Sequence, residues 1–143
     1  MWKLRVVREQ AAETDIRHGY SFRGSGEVWA GFRDHFALCD REVFALLILD
    51  NKHRMVGYHQ VAEGSLTASI VHPREVFKAL VLSNAAAFIC MHNHPSGDPT
   101  PSKEDIEITR RLRELADLIG IRLLDHVVFG DGRFVSFVDD GYW

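Results

Sequence analysis

Ala85-Ala86-Ala87-Phe88-Ile89-Cys90-Met91-His92-Asn93-His94-Pro95 reads as a buried strand that runs out onto two histidines. After a Gly/Pro-rich loop, Ser102-Lys103-Glu104-Asp105 opens a helix. A short apolar run with turn formers beyond it has the length of a strand. Ser102 is a good N-cap, and the helix it starts is predicted to reach about Ile119, with Gly120 just past its end as the stop. Two imidazoles, a hydroxyl and a carboxylate thus meet where a strand hands over to a helix.

Working outward, Ile121 to Phe129 and Phe134 to Val138 read as a hairpin across Gly130-Asp131-Gly132. Upstream, His72-Pro73 starts a helix with proline at its first position, and Val76, Phe77, Leu80 and Val81 form its apolar stripe. Val43-Phe44-Ala45-Leu46-Leu47-Ile48-Leu49 is continuously apolar, which predicts a central strand covered on both faces. Val56 to Val61 is its antiparallel partner, and Thr67 to Val71 a third strand. Between Glu27 and Leu38, Val28, Trp29, Phe32 and Phe36 recur at helical spacing. Leu4 to Val7 suggests a further short strand. The expected class is α+β, a mixed sheet in a three-layer α/β/α arrangement. Residues 1–39 form an N-terminal extension of strand and helix packed on a domain of residues 40–143.

A chain of 143 residues with 46% hydrophobic content can bury one core, so a single catalytic domain is expected. A net charge of −3 excludes a polybasic footprint for nucleic acid. Cys39 and Cys90 both lie in apolar surroundings and suit reduced thiols better than a disulfide framework. With no membrane-length apolar run and no leader, the expectation is a soluble cytoplasmic protein.

Side chains two apart on a strand share a face, so His92 and His94 can present two nitrogens to one point. Two histidines and one carboxylate with an open water position make an established catalytic zinc set. Asp105 is the natural third ligand. Ser102-x-x-Asp105 also resembles a capping box. Yet Asp105 stands in register with Ile108, Leu112, Leu115 and Ile119 on the inward helix face, and an inward carboxylate needs a cation or donors; that weighs for the ligand over the cap. His18, His35, His53, His59, His72 and His126 are isolated. Asp125-His126 can orient groups from behind the site, although a packed or surface pair is the favoured reading. A water-activating base must come from elsewhere: Glu42, at the start of the most buried strand, leads, with Glu63 and Glu75 as competitors.

His92-x-His94, seven residues, Ser102, two residues and Asp105, with an upstream Glu, resembles the JAMM motif of the JAB/MPN metalloprotease superfamily. Arg41-Glu42-Val43-Phe44, His72-Pro73-Arg74-Glu75-Val76 and the segment His92 to Ser102 are similar to the bacterial RadC family, and Asp125-His126 continues the likeness, which covers about residues 40–143. Asn93 stands where eukaryotic deubiquitinating members usually have serine. The resemblance implies a cytidine-deaminase-like mixed sheet and one Zn2+ per chain held by His92, His94 and Asp105. It also implies Glu42 as general base and Ser102 as donor to the oxyanion. Longer RadC proteins carry an N-terminal helix-hairpin-helix module, and the residues ahead of Glu42 show no Gly-x-Gly hairpin pair of that kind, so a DNA-binding half is expected to be absent.

The function expected from this set is zinc-dependent hydrolysis of an amide or isopeptide bond in a peptide substrate. A DNA-repair-associated or interaction module with a structural metal is the alternative. A scaffold role ranks lower because every motif residue is retained, and an HNH nuclease lower still because those enzymes draw on separated positions. The oligomeric state is open in the sequence, and exposed strands at a sheet edge are compatible with a homodimer.

Overall fold

The structure, a computed structural model, describes residues 1–3, 19–64 and 71–143. The strand suggested at 4–7 lies outside the described residues, as do residues 67–70 of the one suggested at 67–71, and Val71 stands in a bend. Helix α1 (Ser25–Ala37) precedes strands β1 (Val43–Leu49) and β2 (Met55–Glu63). Helix α2 (Pro73–Leu82), strand β3 (Ala87–Asn93) and helix α3 (Lys103–Ile119) follow, then β4 (Arg122–Phe129) and β5 (Phe134–Ser136). The strands form one mixed sheet in the order β2-β1-β3-β4-β5. Among the described strands only β3 and β4 run parallel, joined across α3.

Alternation along the central strand explains the three layers. Val43, Ala45, Leu47 and Leu49 of β1 pack with Val28, Phe32 and Phe36 of α1. Phe44, Leu46 and Ile48 face the other way, onto Val76, Phe77 and Leu80 of α2 and Ile108, Leu112 and Ala116 of α3. Both faces are therefore covered, as a continuous apolar run requires. Each fully buried large apolar side chain contributes roughly 1.5–3 kcal/mol of transfer free energy.

The structure departs from the sequence expectation at the ends of elements. β3 begins two residues late, because Asn84 adopts a left-handed conformation (φ 54) after α2 and the turn consumes Ala85, whose N–H donates to Leu80 O. Val81 is exposed, since the buried stripe of α2 closes with Leu80. Ile119 is also exposed, and the buried face of α3 runs instead through Asp105, Ile108, Thr109, Leu112 and Ala116. Val138 falls beyond β5 in a turn. Among the described residues no helix is long and apolar enough to cross a membrane.

Candidate metal centre

The site is built at the carboxyl end of β3, on the sheet face that α3 covers. His92 lies within the strand and is fully buried. The N–H of His94 donates to Phe129 O at 2.9 Å, so the pairing with β4 carries past Asn93 and the alternation persists to the second imidazole. Crossing from β3 to parallel β4, the chain returns through α3 and sets that helix's first turn, with Asp105 in it, against the histidines. His92 Nε2 is 2.9 Å from His94 Nε2. Asp105 Oδ2 is 3.3 Å from the first and 3.1 Å from the second. These three form the group of side chains suited to a metal ion among the described residues.

Each element of this arrangement is held from behind. His94 Nδ1 lies 2.8 Å from Asp98 O, in a loop tightened by the Gly97 N–H to His94 O bond and tied to the β4–β5 turn by the Asp131 N–H to Gly97 O bond, both 2.9 Å. His92 Nδ1 lies 2.7 Å from His126 Nε2. His126 Nδ1 is in turn 2.6 Å from Thr109 Oγ1. A carbonyl only accepts, so Asp98 O takes its proton from His94 Nδ1, which leaves Nε2 of a neutral His94 as an electron-pair donor.

Asp105 caps α3 and also faces the two imidazoles. Its N–H donates to Ser102 Oγ at 3.0 Å, and its Oδ2 accepts from the Ser102 N–H at 2.8 Å, a complete capping box. The same Oδ2 faces both imidazoles. The cap does not exclude a metal, because a carboxylate oxygen has more than one lone pair and the cap fixes the oxygen's direction. Burial opposes ionisation of Asp105, but the imidazoles of His92 and His94 beside its Oδ2 outweigh it and hold the carboxyl well below its ordinary range. The hydrogen bond to Asp105 raises the pKa of His94. Burial, with His92 adjoining, pushes His126 well down.

Glu42 is half-buried and directly precedes β1. Phe44 stands opposite His92 in the antiparallel pairing of β1 with β3, and Glu42, two residues before Phe44, shares its side of the strand. Its charge acts on His94. Asn93 fixes this stretch: its Oδ1 accepts from the Val43 N–H at 2.7 Å and its Nδ2 donates to Arg41 O at 2.9 Å, gripping the backbone on both sides of Glu42. Of the competitors, Glu75 pairs with Lys78 at 2.5 Å and Glu63 is exposed. Ser102 is exposed beside the site, and because its Oγ accepts in the cap, its own proton is directed elsewhere.

The Asp125-His126 doublet splits. His126 is fully buried behind His92, whereas Asp125 turns away and accepts from Ser136 Oγ, the His126 N–H and the Val138 N–H. Sequence reading missed Thr109 and undervalued His126. The signal available was the place of His126 within a predicted strand, Ile121 to Phe129; that this strand lies beside the histidine strand is a fact of the folded sheet.

A family model for the RadC-like JAB domain matches residues 22–142. The chain belongs to the RadC-like JAB family. A UPF0758 protein of Geotalea uraniireducens is 55% identical to this RadC-like domain over 120 residues, which is 84% of this chain and 53% of that protein. One from Geobacter sulfurreducens is 61% identical over 109 residues, 75% and 48% of the respective chains. One from Syntrophotalea carbinolica is 48% identical over 142 residues, 97% and 63%. The RadC-like domain therefore spans about half the length of the curated relatives it matches. The matched region includes α1, whose buried face packs on the sheet.

Proposed function

We propose that the chain is a zinc-dependent hydrolase that cleaves an amide or isopeptide bond. The observation that carries this reading is the convergence of His92 Nε2, His94 Nε2 and Asp105 Oδ2 within 3.3 Å of one another. Three such groups that close need a proton or a metal cation among them, and two histidines with a carboxylate suit zinc. The chemistry that a zinc ion supplies when held by these residues is Lewis acidity toward a carbonyl oxygen and toward water.

The chain's own residues supply the rest. Glu42, on the same side of the sheet as His92, takes the proton of the attacking water and returns it to the leaving amine. Ser102 donates its hydroxyl proton to the oxygen that gains charge as the carbonyl is attacked. Asn93 keeps the Glu42 backbone in place while this happens. The capping box keeps Asp105 from swinging out of the site.

Purified protein should contain zinc in a ratio near one per chain, and His94→Ala should lose it. A peptide-library hydrolysis profile, with Glu42→Gln and His94→Ala as blanks, should show cleavage by the wild type alone. Zinc retained undiminished by His94→Ala, or cleavage that persists in Glu42→Gln, refutes the assignment.

A further inference from the structure

Behind His92 lies a line of hydrogen bonds whose direction is set by its far end. The carbonyl oxygen of Asp105 can only accept, so the Thr109 hydroxyl donates to it, at 2.6 Å. With its single proton committed there, Thr109 Oγ1 must accept at its other contact, so His126 Nδ1 carries the hydrogen in the 2.6 Å bond between them. His126 is 1% exposed. It sits against Phe137, stacked at 4.6 Å, and Phe44, edge-on at 5.6 Å. Among the described residues no carboxylate bonds either of its nitrogens, and an unpaired cation in so apolar a sleeve is strongly disfavoured. A neutral ring with its hydrogen on Nδ1 has Nε2 as acceptor. His92 Nδ1, 2.7 Å away, is then the donor.

We propose that His126, itself fixed by Thr109, is a positioning residue that keeps the ring proton of His92 on Nδ1 and so turns the Nε2 lone pair toward the point shared with His94 and Asp105. The relay begins at the backbone carbonyl of one candidate ligand and ends at the ring of another. Helix α3 thereby sets both the carboxylate and, through two side chains, the tautomer of an imidazole on a strand. His94 is fixed independently, through Asp98 O. The tautomer assignment stands on hydrogen bonding and the burial of His126; its consequence for metal affinity rests on the zinc-site reading above.

The test uses the full chain in two measurements. Long-range 15N–1H spectra of the metal-free protein, labelled at histidine, should show His92 protonated at Nδ1. Thr109→Val keeps the side-chain volume and removes the hydroxyl, so the His126 ring is free to carry its hydrogen on Nε2, and the His92 proton should move to its own Nε2. Cobalt(II) affinity, measured by competition with a chromophoric chelator, should fall roughly 10- to 100-fold in Thr109→Val and in His126→Phe, the scale typical of lost support behind a ligand. His126→Gln, which retains an acceptor for His92, should recover most of that loss. Wild-type His92 protonated at Nε2 overturns the proposal. So does a folded Thr109→Val protein with unchanged His92 tautomer and cobalt affinity. Wild type that takes up no cobalt defeats the zinc-site reading instead, while the tautomer spectra still decide the relay.

Discussion

Gly130 is where a single methyl group should disable the centre without touching any ligand. A Cβ placed there would lie 2.5 Å from Gly97 O, 2.7 Å from Pro99 Cδ and 3.0 Å from Pro99 N. Ordinary contact begins at 3.4 Å, so the 97–99 loop must retreat by about 0.9 Å, and backbone atoms cannot evade that as a flexible side chain would. Asp98 lies inside this loop, and its carbonyl takes the Nδ1 proton of His94 at 2.8 Å. If that carbonyl moves with its neighbours, the separation passes about 3.5 Å and the hydrogen bond is gone. His94 then loses the contact that fixes its ring and tautomer. Gly130→Ala should therefore weaken Zn2+ binding by roughly 10- to 100-fold. Overpacking should also cost about 1–3 kcal/mol, seen as a fall in Tm of about 3–10 °C for a domain of this size. Competition against a chromophoric chelator measures the first effect and thermal unfolding followed by circular dichroism the second. Gly132→Ala is the control: it has a positive φ of 68 but no atom within 4 Å of an added Cβ, so it should lose stability without losing metal. Equal Zn2+ affinity in wild type and folded Gly130→Ala would refute the argument.

Three further outcomes follow from the same geometry. Glu42→Gln should retain Zn2+ with wild-type affinity and lower the rate of peptide cleavage by roughly 10²- to 10⁴-fold; metal content and turnover on a library-selected peptide check both halves. Ser102→Ala should cost about 1 kcal/mol through loss of the acceptor for the Asp105 N–H, and should depress kcat by roughly 10²- to 10³-fold with KM less affected. Stability of the metal-free protein should depend on pH through His94: its pKa is raised above 6.5 by the hydrogen bond to Asp105. The contribution is thus complete below 6.5 and lost as pH rises through the folded pKa. Tm of metal-free wild type should decline across that interval, and His94→Ala should lack the decline.

The layers of the fold were legible because burial imposes a period. The unbroken apolar run at 43–49 demanded cover on both faces, and the helices that supply it declared themselves by their spacing, α1 through Val28, Phe32 and Phe36. What failed was local, at ends where a single φ decides, as at Asn84. Within the site, His92, His94 and Asp105 were readable because their spacing is short and one strand-to-helix turn joins them. His126 was not, since it lies 34 residues from His92 and reaches it only through the parallel pairing that sets Cys90 beside His126. Thr109 had no signal of its own, because a threonine one helical turn past Asp105 looks like any residue of a half-buried face. Gly130 looked like a hairpin residue, and its need for a missing side chain arises from Pro99, a residue of another loop. These omissions share a cause. A ligand announces itself by its chemistry, whereas the groups that aim it are ordinary residues given a task by strand register, and register is a property of the folded sheet.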